Sequence, residues 1–256
     1  MKRLFSLLAL MVVLAGCYRT PPSPPPCNPV ATNVEENNPY VLTLYADARG
    51  LDYSSGKAMY KSLKFQQGRK NTHGIFGHTW IRLKGEQDEE VVVVEGGHSG
   101  DLGERQPVYL DGVMAQIKGG HPNPISYLWA TKEDGFFQRG SGGHIPTHRA
   151  VFVLSEEQYW DILNYIDPAN YDYQHYALTD RQCVSYCARI ADRIGEKMHY
   201  KADISIPQNV QILTKKIVLW RNPQYGNLSI GLPDVLVLNP QFEKIGDPSP
   251  ASIANR

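Results

Sequence analysis

Three side chains have the chemical types that thiol hydrolysis requires: Cys183, His78 and Glu95. Such chemistry needs a thiolate nucleophile, an imidazole within hydrogen-bond reach to carry the proton, and a third polar group to orient the ring. Residues 176–187 read Tyr-Ala-Leu-Thr-Asp-Arg-Gln-Cys-Val-Ser-Tyr-Cys and run on to Gly195. This stretch predicts a helix with a thiol in its first turn or two. Thr179 serves as N-cap and Gln182, three residues later, closes a capping box; Asp180 is a rival cap one position on. Gly195 falls where a helix-ending residue is expected. A helix start carries partial positive charge and favours thiolate over thiol, which sets Cys183 apart from the other cysteines. A plainer reading competes with this one. Cys183, Cys187, Ile190, Ala191 and Ile194 share one helical face, and buried cysteine is a small apolar residue. Cys187, a turn deeper, is expected in the core.

His78 to Leu83 and Glu90 to Glu95 read as strands, and the polar Lys84 to Glu89, with Gly85, suits a hairpin connection. Antiparallel pairing then brings the start of the first strand beside the end of the second, with His78 and Glu95 as neighbours. His98, three residues further on, competes with Glu95 for the third position. Zinc is the rival chemistry: His73 and His78 are five apart, His144 and His148 four apart. Pro146 argues against one helix carrying the latter pair, and neither Cys-x-x-Cys nor His-Glu-x-x-His occurs, so no metal is expected.

These residues need a scaffold. Tyr40 to Ala46 is rich in β-formers and opens the folded part; Asp52 to Phe65 is weakly helical, and Gly68 to Gly77 is loop. Residues 96 to 148 are rich in Gly and Pro and read as long surface loops, the walls of a cleft. Arg149 to Leu154 is another strand. Ser155-Glu156-Glu157-Gln158 is a second capping box, and Tyr159, Ile162, Leu163 and Ile166 form the apolar face of the helix it starts, which Pro168 ends. Pro207 introduces a further helical run to about Leu219, and Leu232 to Leu238 is a last strand. The tail from Asn239 is polar and loose. The class is α+β.

The chain opens on Met1-Lys2-Arg3, then an apolar run from Leu4 to Leu14 too short to span a bilayer as a mature helix. Its ending, Leu14-Ala15-Gly16-Cys17, resembles the lipobox of bacterial lipoproteins, in which the cysteine is lipidated and becomes the new N-terminus. Tyr18 rather than Asp follows, which by the sorting habit of such proteins points to the outer membrane, facing the periplasm. Residues 21 to 29 hold Pro21, Pro22, Pro24, Pro25, Pro26 and Pro29. Such a segment favours extended polyproline II, a semi-rigid spacer with Cys27 inside it as a free or paired thiol. The expected organisation is a signal peptide over 1–16, a tether over 17–38, one domain over 39–238 and a tail over 239–256. Loss of residues 1–16 removes two of 26 basic side chains, leaving 24 against 26 acidic ones, a net of −2. With no basic stripe, nucleic acid is not the expected partner.

The order His-Thr-Trp-Ile-Arg-Leu, a strand ending in Glu-Gly-Gly, a strand, Ser-Glu-Glu-Gln-Tyr and a helix, then Tyr-x-Leu-x-x-x-x-Cys and a helix ending in Gly resembles circularly permuted papain-like proteins. These are the NlpC-type group that includes lecithin–retinol acyltransferase-like members. The similarity covers roughly residues 74 to 195. It implies a permuted papain-like fold, an antiparallel sheet packed against the helix carrying the cysteine. By the same resemblance Cys183 is the nucleophile, His78 the base and Glu95 the third polar residue. The group often has Asn before the cysteine, where this chain has Gln182, so the backbone N–H of Cys183 is the expected oxyanion donor. Tyr176 and Gln182 would lie on the substrate side. The implied activity is cysteine hydrolysis of an amide or ester at the cell envelope, without cofactor, by a lipid-anchored protein. Location suggests peptidoglycan peptides as substrate. An acyltransferase of the same fold and a non-catalytic envelope-binding lipoprotein are the alternatives.

Overall fold

The computed structural model describes residues 34–52, 58, 62, 77–100, 133, 135–206, 209–213, 217–221 and 226–247. The lipobox with Cys17, the tether with Cys27, His73 and the tail beyond 247 lie outside the described residues. So does most of the segment expected to be weakly helical, where Ala58 and Ser62 are helical.

Strand β1 (Val41–Asp47) forms where the β-formers predict a strand and lies inside a six-stranded sheet. Around it stand β2 (His78–Gln87), β3 (Glu90–Gly100), β4 (Gly135–Arg139), β5 (His148–Val153) and β10 (Glu243–Lys244), in the order β10-β5-β1-β2-β3-β4. Every neighbouring pair is antiparallel. One face packs against α1 (Glu156–Ile166) and α2 (Cys183–Arg193). Leu42, Leu44, Ile81 and Leu83 from the sheet meet Ile162, Ile166, Tyr186, Cys187 and Ile190 from the helices in one buried cluster. Period-two alternation dictates this: Ile81 and Leu83 go to the helix side, Trp80 and Arg82 to the other. The α+β class, an antiparallel sheet carrying the cysteine helix, is therefore the fold of this chain.

The hairpin between β2 and β3 is tighter than its polar composition suggests. Gln87 pairs with Glu90, so the turn is only Asp88-Glu89, both with positive φ (50° and 66°). Two such residues make the primed two-residue turn whose twist suits a hairpin. The strands consequently run longer than expected, and the register moves: Glu95 pairs with Arg82, not with His78. Gly85 lets Tyr159 cross the strand, since a Cβ there would stand 2.0 Å from the Tyr159 ring.

Several local expectations are corrected. Gly96 to Gly100 is not loop but the buried second half of β3. The run after Pro207 is not a helix: β7 (Asn209–Leu213) pairs with β8 (Ile217–Arg221), and β6 (Lys201–Ile206) pairs with β9 (Gly226–Gly231). Val210, Ile212, Ile217 and Val218 are β-branched, and once a hairpin partner is at hand they prefer the pleated surface. Conversely, Leu232 to Leu238 is not a strand. Pro233 at the first position pre-sets a helical φ, and α3 (Pro233–Leu236) forms. Asp234 in its first turn accepts the backbone N–H groups of Arg49, Gly50 and Leu51 at 3.3, 2.6 and 3.2 Å. The tail is tied down as far as β10, where Glu243 accepts from Arg149 Nε at 2.6 Å.

The fold also reaches upstream of residue 39. A helical turn over 34–37 lies on the outer sheet face, where Glu35 takes the Thr43 hydroxyl and pairs with Arg82. Replacing Asp88-Glu89 by Asn-Gly relieves two left-handed non-glycine residues and should stabilise the protein by about 1 kcal/mol. Urea unfolding of the double variant checks this; an unchanged midpoint would mean the turn does not set the register.

Candidate active site

The cysteine helix begins one turn later than its capping pattern suggests. Ala177 and Arg181 exchange backbone hydrogen bonds at 2.8 and 2.9 Å, which makes Leu178-Thr179-Asp180 the tip of a closed turn. Neither Thr179 nor Asp180 is therefore the cap. Gln182 is: its Oε1 accepts the Val184 N–H at 2.8 Å, and Ser185 returns the bond by accepting the Gln182 N–H at 2.9 Å. Cys183 is thus the first residue of α2. Gly195, with φ 87°, follows the helix end as expected.

The Cys183 thiol donates to the same Gln182 oxygen at 3.3 Å. The Gln182 amide nitrogen donates to the Gly231 carbonyl at 2.8 Å. Gln182 therefore holds sulfur, helix start and β9 together, and both ends of its amide have protein partners. Thr79, on β2, lies near both thiols, and its buried hydroxyl has no hydrogen-bond partner among the described residues. Burial pushes the Cys183 thiol up, against the N–H groups of Thr79, Val184 and Cys183 itself, which favour the thiolate. Cys183 is 7% exposed and packs with Val184 and Leu236. Cys187 is buried in the core, as expected, and burial also pushes its thiol up.

His78 is the first residue of β2, 5% exposed. Because Thr79 turns toward the thiols, alternation turns His78 to the other sheet face, the side of Trp80. Its ring stacks on Trp80 (centroids 5.9 Å, planes 12° apart) and packs against His144 (4.9 Å, 36°). Burial first, then the neighbouring His144, hold its pKa well below the ordinary imidazole range, so it is neutral at physiological pH. Its Nε2 is buried and has no hydrogen-bond partner among the described residues. In this arrangement His78 and Cys183 occupy opposite faces of the same strand end.

Glu95 does not orient His78. Its carboxylate accepts the Trp80 indole N–H at 3.2 Å and lies 3.9 Å from Arg82 Nε. The tighter hairpin turn is the cause. His98, the rival, is fully buried on the helix side, between the Tyr171 hydroxyl and the Tyr173 carbonyl, each at 3.0 Å. Tyr176 packs edge-on against it (5.4 Å, 85°) and is 4% exposed, so it serves the core.

Two residues lie near His78 that the sequence did not place there. Asp47 stands directly opposite it in the β1–β2 register, and His144 Nδ1 meets the Asp47 carboxylate at 2.7 Å. Arg49 pairs with the same carboxylate at 2.6 Å. The signal available was weak: a polar residue ending an otherwise apolar strand. Among the described residues no three His, Cys, Asp or Glu side chains are grouped to hold a metal. His144 is with Asp47, and His148 Nδ1 is with the Thr147 hydroxyl at 2.9 Å.

The chain matches no family model, no curated protein and no solved structure. Among the described residues no helix is long and apolar enough to cross a membrane.

Burial of His98 makes stability depend on pH. Desolvation lowers its pKa to about 4, whereas the unfolded imidazole binds a proton near 6.5. The unfolded state therefore holds the extra proton between those values, and stability falls as pH drops from 6.5 to 4. The loss should approach about 3 kcal/mol at the acid end. Urea midpoints across this window should decline for the wild type and decline less for His98→Gln; equal slopes would remove His98 as the cause.

Proposed function

We propose that this protein is a lipid-anchored cell-envelope hydrolase of the cysteine type, with Cys183 as nucleophile and an amide or ester as substrate. The observation that carries the reading is the place of one sulfur, on the first residue of a capped helix. The positive end of the helix favours a thiolate there and an oxyanion beside it, against the burial that pushes the thiol up. The resemblance to permuted papain-like proteins and the lipobox at Cys17 supply the reaction class and the location, with peptidoglycan peptides as the substrate at hand. Sulfur attacks the carbonyl carbon, His78 carries the thiol proton to the leaving nitrogen or oxygen, and water then releases the acid and restores the thiol. If an amine or alcohol replaces water in the second step, the same site is an acyltransferase.

For this chemistry His78 must turn from the Trp80 side to the Thr79 side. It is the end residue of β2 and follows Gly77, whose φ of 77° is a conformation side chains rarely adopt. His78 is also the end rung of the β1–β2 ladder, opposite Asp47, so the turn has to undo that rung.

A second reading is favoured by a specific observation. The buried, protonated thiol and the imidazole on the opposite face suit an envelope-binding lipoprotein that does no catalysis. Iodoacetamide labelling of Cys183 across pH separates the two. The hydrolase reading expects a labelling pKa below the free-thiol value of about 8.5 that His78→Ala raises. A value above it, unmoved by His78→Ala, leaves only the binding protein. Cys183→Ser should abolish release of peptide from peptidoglycan or of acid from acyl esters, and full retention of activity would remove Cys183 as nucleophile.

A further inference from the structure

We propose that Asp47 and His144, and neither Glu95 nor His98, are the positioning residues of the His78 imidazole. The importance of that position rests on the reading of His78 as a base; the positioning itself does not. Three separate parts of the chain converge here: the end of β1 with Asp47, the start of β2 with His78, and the segment before β5 with His144.

Asp47 is 2% exposed, and its charge is met from two sides, by Arg49 and by His144 Nδ1. A carboxylate 2.7 Å from Nδ1 fixes the proton of a neutral imidazole on that atom. The tautomer and tilt of His144 are therefore set by Asp47. His144 in turn forms one wall of a slot whose other wall is Trp80, and the His78 ring lies between them. The slot fixes the plane of the ring without consuming Nε2. A buried ring nitrogen with no partner costs roughly 1–3 kcal/mol, and in native proteins such an atom calls for an explanation. The slot holds the ring at rest on the face opposite Cys183, and an imidazole that must leave the slot to reach the sulfur gives up no hydrogen bond in doing so.

Glu95 reaches this slot only through the Trp80 indole N–H, and His98 is closed off on the opposite face by Tyr171 and Tyr173. Among the described residues, the charged or titratable groups that face His78 are thus Asp47 and Arg49 from β1 and its extension and His144 from the segment before β5. Arg82 and Glu95 lie further along the same face.

The test is the titration of His78 in the full chain, followed by nitrogen-15 NMR of labelled histidine. Loss of the His144 wall removes both burial and the competing imidazole, so His144→Ala should raise the His78 midpoint by about one unit, a tenfold change in proton affinity. His144→Asn keeps a donor for Asp47 and a smaller wall, so its shift should be smaller in the same direction; it also serves if the alanine variant does not fold. Asp47→Asn should move the His144 proton off Nδ1 and change the His78 midpoint. Glu95→Gln and His98→Gln should leave that midpoint in place. A His78 midpoint unmoved by both Asp47→Asn and His144→Asn, or one moved equally by Glu95→Gln, overturns the proposal. Cys183 labelling of the same variants keeps the two readings apart. A labelling profile that follows the His78 midpoint supports both, whereas a moved midpoint with an unmoved profile upholds the positioning and sinks His78 as the base for Cys183.

Discussion

The seat of α2 on β2 governs the rest of the molecule. Ile81 and Leu83 on the strand meet Tyr186, Cys187 and Ile190 on the helix, and the burial of that apolar seam fixes the helix in both height and rotation. Its height sets Cys183 level with the first helix-facing residue of β2. Because that residue is Thr79, the two thiols lie near a hydroxyl-bearing side chain instead of a wholly aliphatic one. Gln182 closes the seam from the other side, capping α2 while reaching Gly231 on β9. The sulfur therefore sits where sheet, helix and the second small sheet come together.

The same seam explains why chemistry divides between two faces. A strand cannot send neighbouring residues to one side. Once Thr79 faces the helix, His78 joins Trp80, Tyr45 and Asp47 on the outer surface of the sheet, where Tyr45 and Trp80 stack at 5.3 Å. That outer face carries the charged residues of β1 and β2, and they are satisfied in local groups: Asp47 with Arg49 and His144, Glu35 with Arg82, Glu95 with the Trp80 indole. Each pairing limits the desolvation cost of a polar group held under other parts of the chain. The helix-facing side solves the same problem once, with His98 satisfied at both ring nitrogens inside a ring of tyrosines whose hydroxyls burial keeps protonated.

The fold begins before residue 39, because the turn over 34–37 is pinned to the sheet by Glu35. That turn lies on the face of the sheet away from the cysteine helix.

The sequence alone determined what depends on neighbours within a few positions. The Ser155–Gln158 box starts α1 because both of its bonds are local. Strand β1 follows from its run of β-formers and the core position of Cys187 from helical periodicity, and Gly195 ends α2 where a left-handed residue is needed. What only the tertiary structure decided turns on distant partners. Thr179 and Gln182 have the spacing of a cap, yet the Ala177–Arg181 bridge takes Thr179 away and Gln182 becomes the cap through its hold on β9. Residues 209–213 and 217–221 are strands because each has the other to pair with. A two-residue turn at Asp88-Glu89, against a longer polar one, is worth four positions of register and moves Glu95 from His78 to Arg82. The pairing of His144 with Asp47 spans 97 residues, and no pattern in a single chain encodes a contact between a strand end and a distant loop that meet only after the sheet has closed.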